Sequence, residues 1–336
     1  MKVWRHIADS LKTCGSCTLV TVVQVDGSAP REEGARMVVR PDASFFGTIG
    51  GGTLEFEIIR KAARLAADNV SLFQIQTVAL GPDLGQCCGG RARLSIEVLT
   101  ARYAETAGLL AQQESCGEVF ATCAELRDGR IGPRRPFEQA TRHPFELVES
   151  SDKTVSRVVE RFGQARTPLA LFGAGHVGKA LVLALAPLPF SITWIDGRSD
   201  QFPGAVPANV TKVALDNPVS ALDDVPSGAF VLAMTHSHAL DEEIMARALL
   251  MQRVRYCGVI GSKTKRARCI KRLKTRGLSD LLIAQMTCPI GKTTIKSKHP
   301  AAIAAGIAAD LLERSEVGLK QETTRPGLAQ NMTHGQ

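Results

Sequence analysis

The chain has 336 residues, 44% hydrophobic and 22% charged, with 41 Lys and Arg against 33 Asp and Glu for a formal charge of +8. That length buries a sizeable core in two domains, and no apolar run reaches the roughly 18 residues that span a bilayer. Nine cysteines, an odd count in a long chain, argue against a disulfide scaffold, and two Trp and two Tyr leave little to stack on nucleic-acid bases.

Trp4, Ile7, Ala8 and Leu11 recur with helical spacing, so the chain opens on a short helix. This start lacks the apolar core and cleavage site of a secretory signal, which predicts a cytoplasmic protein with reduced thiols. Residues 17–25 read as a strand, 26–31 as a turn and 35–40 as a returning strand. Residues 46–52 read as a flexible loop feeding a helix, with Thr53 as its expected N-cap. Strands are expected at 71–78 and 92–99, a helix at 103–113 and a strand at 118–126, with 129–144 as loop. Further on, strands at 169–172, 190–195 and 230–234 alternate with helices at 176–186, 240–251 and 299–313. Alternation of this kind predicts a parallel, doubly wound sheet. The expected fold is α/β: an α+β domain over 1–163, a Rossmann-like parallel-sheet domain over 164–314, and a polar, disordered tail over 315–336.

Gly173, Gly175 and Gly178 follow a strand and open a helix beginning at His176. In this context the first glycine allows a tight turn, the second lets backbone approach a phosphate, and the third lets helix and strand pack. Asp196 ends the next strand, where an acid meets ribose hydroxyls. The alternative is a Rossmann-type fold with a repurposed pocket. His236 and His238, with Asp241, stand at another strand end and read more readily as pocket walls than as metal ligands. Lys263 follows a further glycine-bearing strand exit, where it can meet a phosphate. The basic run over 263–276 reads as a solvated helix face. Arg31 and Arg36 flank the first turn and offer guanidinium forks for phosphate or carboxylate. Cys14 and Cys17 have redox-pair spacing but sit between a helix end and a strand start, so an ordinary turn is the stronger reading.

Leu84-Gly85-Gln86-Cys87-Cys88-Gly89-Gly90 sets two thiols among glycines. Thiolates bind soft metals and exchange sulfur, and Arg91 and Arg93 would favour the thiolate if close. The alternative is a pair of small buried hydrophobes in a turn.

Taken in order, these segments resemble the XdhC/CoxI family, accessory proteins of molybdenum hydroxylases such as xanthine dehydrogenase. The resemblance rests on Gly27-Ser28-Ala29-Pro30-Arg31, Gly34-Ala35-Arg36-Met37 and Gly47-Thr48-Ile49-Gly50-Gly51-Gly52-Thr53-Leu54-Glu55. It continues through the two-cysteine segment, Leu171-Phe172-Gly173-Ala174-Gly175-His176-Val177-Gly178, Thr235-His236-Ser237-His238, Gly258-Val259-Ile260-Gly261-Ser262-Lys263 and Cys288-Pro289-Ile290-Gly291. The XdhC branch is the closer match. The chain departs after Gly291, with Lys292-Thr293-Thr294 and Lys298-His299-Pro300-Ala301-Ala302 where the family carries a helix-leading Pro-Glu-Glu or similar.

The resemblance implies a carrier and insertion chaperone without turnover of its own. Its cargo would be molybdenum cofactor (molybdopterin), a phosphorylated pterin whose dithiolene holds the metal. It would guard the cofactor while a cysteine desulfurase replaces an oxo ligand with sulfur, then deliver it to the molybdenum-binding subunit of apo-xanthine dehydrogenase. The metal-facing thiol falls in Gln86-Cys87-Cys88, with Cys88 preferred over Cys87. The glycine loop and the arginines would hold the phosphate, both halves facing one cleft. A homodimer is expected, and neither nucleic acid nor a membrane is expected as partner. Two rivals stay open: an NAD(P)-dependent oxidoreductase using the 173–178 loop and Asp196, and a sulfurtransferase carrying a persulfide on Cys87 or Cys88.

Overall fold

A computed structural model describes residues 1–80, 89–139, 141, 143–149, 156–292 and 294–324. The chain divides into two units, Met1–Ala165 and the part from Arg166 onward. No helix among the described residues is long and apolar enough to cross a membrane.

In the first unit, helix α1 (Val3–Cys14) buries Val3, Trp4, Ile7 and Leu11 along one face. It stops at Gly15, whose left-handed φ of 77° returns its N–H to the Leu11 carbonyl. Strands β1 (Ser16–Asp26), β2 (Arg36–Val39) and β3 (Phe45–Gly47) follow. Next come α2 (Gly52–Ala67), β4 (Phe73–Ala79), β5 (Arg91–Thr100) and α3 (Ala104–Ser115). The strands form one antiparallel sheet in the order β3-β2-β1-β5-β4. Leu54, Ile58, Ala62, Ala63 and Ala66 of α2 are buried, most of them in one core with Val20, Val22, Met37 and Leu94 of the sheet.

A second antiparallel sheet is built from β6 (Phe120–Arg127), β7 (Arg130–Ile131), β8 (Arg135–Phe137), β9 (Phe145–Glu149) and β10 (Ser156–Phe162). Between the two sheets lies a buried charge network. Arg134 donates to Glu97 of β5 and to Glu160 of β10, and it reaches Thr122 Oγ1 at 3.1 Å. Burial works against the guanidinium charge, but the two carboxylates raise its pKa above the ordinary value.

In the second unit six strands are all parallel. They are β11 (Thr167–Phe172), β12 (Phe190–Asp196), β13 (Val210–Ala214), β14 (Phe230–Ala233), β15 (Tyr256–Val259) and β16 (Met286–Thr287). Their order is β13-β12-β11-β14-β15-β16. Numbered within the unit this is 3-2-1-4-5-6, the dinucleotide-fold order. Helices α4 (His176–Ala184), α5 (His238–Leu250), α6 (Lys263–Thr275), α7 (Asp280–Ala284) and α8 (Pro300–Thr324) complete it. Alternate residues serve two cores: Leu169 and Leu171 of β11 join one, Ala170 and Phe172 the other. A sheet covered on both faces is thus the doubly wound arrangement read from the alternation.

Four local readings change. Residues 46 and 47, the start of the expected 46–52 loop, belong to the edge strand β3. Thr53 does not cap α2: Gly51 holds the cap position, without a side-chain bond. Residues 129–144 contribute β7 and β8 to a sheet that also includes the unforeseen β9 and β10. Finally α8 runs on to Thr324, with Ser315 buried and its hydroxyl 2.8 Å from Thr167 Oγ1, so the first part of the expected disordered tail is helical.

Candidate functional site

The carboxyl ends of the parallel strands gather most of the sequence-predicted residues of the second unit. At the end of β11, Gly173 adopts φ 113°, and a Cβ there would lie 2.3 Å from the Met234 carbonyl oxygen. Only glycine fits. Its N–H donates to the Ile195 carbonyl and its own oxygen accepts from Trp194 Nε1 at 3.0 Å, which pins the loop. A Cβ on Gly178 would sit 2.2 Å from the Gly173 oxygen, so that glycine permits the close helix–strand packing. Gly175 differs, because a Cβ there meets nothing within 4 Å.

Gly175 is also the cap residue of α4 and supplies no side-chain acceptor. Ser237, Ser262 and Ser279 do supply one for α5, α6 and α7. The first-turn N–H groups of a helix have no acceptor within it. In α4 the cap residue supplies none either, and the backbone dipoles at such a helix start favour an anion. His176, the first residue of α4, is exposed beside them.

Asp196 does not wait for a ribose. Its Oδ2 accepts from Ala174 N at 2.7 Å and Arg198 Nη2 at 3.0 Å. Its Oδ1 accepts from Arg198 N and Arg198 Nε, each at 3.0 Å. Burial opposes the charge, but the bonds from Arg198 and Ala174 outweigh it and lower the carboxyl pKa. The acid therefore braces the glycine loop and carries a half-exposed arginine to its rim. Sequence reasoning missed Arg198, although a basic residue two positions after a strand-ending acid is a visible signal.

At the end of β14, the Thr235–His238 turn is organised from below. Buried Asp241 accepts from Thr235 N and Thr235 Oγ1, each at 2.9 Å, and from Lys265 Nζ at 2.7 Å. Ser237 caps α5. His236 and His238 are exposed; His238 lines a cavity of about 460 Å3 with Thr235, Ser262, Lys265 and Arg268. Among the described residues no group of three or more His, Cys, Asp and Glu is placed to hold a metal. Lys263, exposed, borders a different cavity at the exits of β15 and β16.

In the first unit three of the segments that carry the resemblance converge. Ser28 bridges to Gly89, a Cβ on Gly90 would lie 2.2 Å from the Ser28 oxygen, and Leu80 N donates to the Gly90 carbonyl. A Cβ on Gly50 would strike Pro30 Cγ at 2.4 Å. Thus the turn after β1 packs on both the neck of the β4–β5 hairpin and the glycine loop before α2. Gln86, Cys87 and Cys88 lie outside the described residues. Arg93 is bonded to Gln24, and Arg91 is exposed.

The glycine loop before α2 already has its anion. Glu55 reaches back to accept from Thr48 Oγ1, Ile49 N and Gly51 N. Burial disfavours its charge, yet those bonds lower its pKa.

Arg36 is a correction. Its side chain is only 9% exposed, stacks 4.3 Å from the Phe162 ring centroid, pairs with Glu160 and donates to the Arg161 carbonyl at 2.9 Å. It belongs to the core, and its fork is not free for a ligand. Arg31 remains half-buried, pairs with Glu32, and borders a cavity of about 520 Å3 with Thr48, Pro144 and Arg161.

All seven described cysteines are free thiols. Cys17 is buried in β1, and burial pushes its thiol up to about 12, so Cys14 and Cys17 form an ordinary turn rather than a reactive pair.

The chain matches the XdhC Rossmann domain over residues 169–311 and the XdhC and CoxI family over residues 11–76. It is 26% identical over 318 residues to a probable xanthine dehydrogenase subunit of Bacillus subtilis, covering 88% of this chain and 92% of that protein. It is 26% identical over 301 residues to the uncharacterized protein YqeB of Escherichia coli, covering 88% of this chain but only 43% of that longer relative. The crystal structure of a xanthine dehydrogenase from Bacillus halodurans superposes with TM-score 0.74 at 23% identity, over 97% of this chain and 98% of that one, which shows a shared fold.

Proposed function

Because the chain belongs to the XdhC and CoxI family, we propose that it is an accessory protein of xanthine dehydrogenase maturation that carries molybdenum cofactor as cargo. The reading is carried by one observation: the 173–178 loop presents an uncapped helix start, and the Cβ direction of Gly175 opens into free space. A phosphate fits that cradle by charge and by size of approach. Arg198, held on Asp196 at the rim, adds a guanidinium for the same group. Cys88 is the proposed thiol for the molybdenum, with Cys87 and Gln86 beside it in sequence. Cysteine desulfurase is the proposed sulfur donor and the apo-dehydrogenase the proposed recipient. On this reading the protein binds and shelters, acts as a homodimer in the cytoplasm, and leaves turnover to its client.

The engagement of Asp196 weighs against the nicotinamide reading. An acid whose two oxygens already accept four hydrogen bonds has little left for a ribose diol.

The test is anaerobic incubation of the pure chain with molybdenum cofactor, then molybdenum and pterin measured per chain. Gly175→Val places its side chain in open space, so the protein should melt as the wild type does while retention falls about tenfold or more. Cys88→Ala should lose molybdenum at a faster rate with the fold intact. Equal retention by wild type and both variants would sink the proposal, as would saturable NADH binding accompanied by hydride transfer.

A further inference from the structure

Helix α6 carries seven cations in 13 residues and no acid, and a further cation, Arg276, stands at its end. The fold compensates three of them. Asp241 holds Lys265 at 2.7 Å, Glu242 holds Arg272 at 2.8 Å and Asp280 holds Lys274 at 2.6 Å. Lys263, Arg266, Arg268, Lys271 and Arg276 are exposed and make no ion pair with any described residue.

This density of charge works against the helix. Arg268 stands three residues from both Lys265 and Lys271 and four from Arg272, and like charges so spaced repel. Lys263, Lys265 and Arg266 crowd the first turn, where the backbone dipole is already positive. Helices α5 and α7 carry an acid there, Asp241 and Asp280. On the outer side of α6 no described carboxylate offsets the repulsion, so the compensation has to come from another molecule.

The surroundings of α6 select the class of that molecule. Cys269 and Leu273 are buried in the core that holds Ala170 and Phe172 of β11, and Ile270 packs against it. The outer side intersperses its cations with exposed Thr264, Ala267 and Thr275 and offers no large apolar side chain to a bilayer. Both Trp and both Tyr of the chain are buried, which removes the aromatic platforms of single-stranded nucleic-acid binding. Carboxylates are the groups with which three cations of this helix already pair. An acidic protein surface meets these conditions.

Position narrows the partner further. α6 starts after β15, which lies two strands from β11 and the 173–178 loop, about 10 Å along the same sheet edge. A protein that takes a ligand from that loop comes alongside α6.

We propose that the outer side of α6 docks a carboxylate-bearing surface of the protein that receives the cargo. The partner's identity rests on the reading that this chain supplies the apo-dehydrogenase. Its acidic character rests on α6 alone.

The experiment is surface plasmon resonance of the full chain over immobilised apo-xanthine dehydrogenase at several ionic strengths. Association should slow steeply as salt rises. Arg268→Gln with Lys271→Gln should slow association about tenfold and flatten its salt dependence, with dissociation nearly unchanged. That variant removes like-charge neighbours, so it should melt no earlier than wild type, and it should retain molybdenum cofactor as wild type does. Lys12→Gln with Arg157→Gln removes two exposed cations of the first unit and should leave association unchanged, which separates α6 from net charge. Equal association by wild type and the Arg268/Lys271 variant overturns the docking face and leaves the cargo reading standing. Equal slowing by both double variants overturns it too. Absence of binding by wild type overturns the recipient and the docking face together, while cofactor retention is measured independently. A loss confined to duplex DNA or to phosphatidylserine vesicles, with dehydrogenase association intact, assigns α6 to those ligands and overturns the proposal.

Discussion

Asp196 illustrates how a residue chosen for one task performs another. The position at the end of β12 is where an acid meets a ribose, and here its oxygens instead hold Ala174 N and the Arg198 fork. The consequence can be read in acid. Because its folded-state pKa is lowered, Asp196 contributes stability that is complete above its unfolded value of about 3.9 and fades as pH falls through the folded value. Asp196→Asn should therefore melt earlier than wild type at pH 6 by about 1–3 kcal/mol, the scale of hydrogen bonds to a charged group. In thermal melts taken from pH 6 to pH 2.5 the gap should close toward the acid end. A constant gap across that range would mean that the carboxylate charge contributes nothing.

At the scale of elements, the Asp241–Lys265 pair fastens the start of α5 to α6 under the Thr235–His238 turn. Asp241 has no exposed surface and Lys265 Nζ is its cationic partner at 2.7 Å. Lys265→Ala leaves a buried carboxylate without its counter-ion, a change that costs about 3–5 kcal/mol. Asp241→Asn combined with Lys265→Met removes both charges and should cost less than the single change. Urea unfolding of the three proteins checks the order; a double variant less stable than Lys265→Ala would contradict it. The same pair accounts for why the histidines at this strand end look outward. The turn beneath them is saturated by Asp241, Thr235 and Ser237, and the imidazoles are left at the surface.

For the whole molecule, the two units carry different kinds of stabilisation. Met1–Ala165 joins two antiparallel sheets through buried Arg134, Glu97 and Glu160, whereas the unit from Arg166 onward has apolar cores on both faces of a parallel sheet. Arg134→Leu strands two buried carboxylates and should lower the stability of the first unit by about 3–5 kcal/mol. Calorimetry should show an earlier transition for that unit, with the second unit's transition in place; a uniform shift of both would refute the assignment. These buried charges also explain what could not be read along the chain. Strand β10 reads Ser-Arg-Val-Val-Glu-Arg-Phe, and its charged residues break the alternation that marks a strand. Glu160 is buried only because Arg134 and Arg36 come to it from distant segments. Arg36 likewise looked like a surface fork, since nothing near it in sequence shows the acid it meets 124 residues away. Ser315 lay in an apparently polar tail, yet it is helical and its hydroxyl meets Thr167, a residue 148 positions away. By itself the amino-acid order determined the alternation of the second half, the three glycines of the 173–178 loop and the family likeness. Each depends on local sterics or on periodicity, which neighbouring residues suffice to express. Tertiary structure alone decided which charged groups face a ligand and which face one another. Coulomb pairing and desolvation act through space between residues that the chain order keeps far apart.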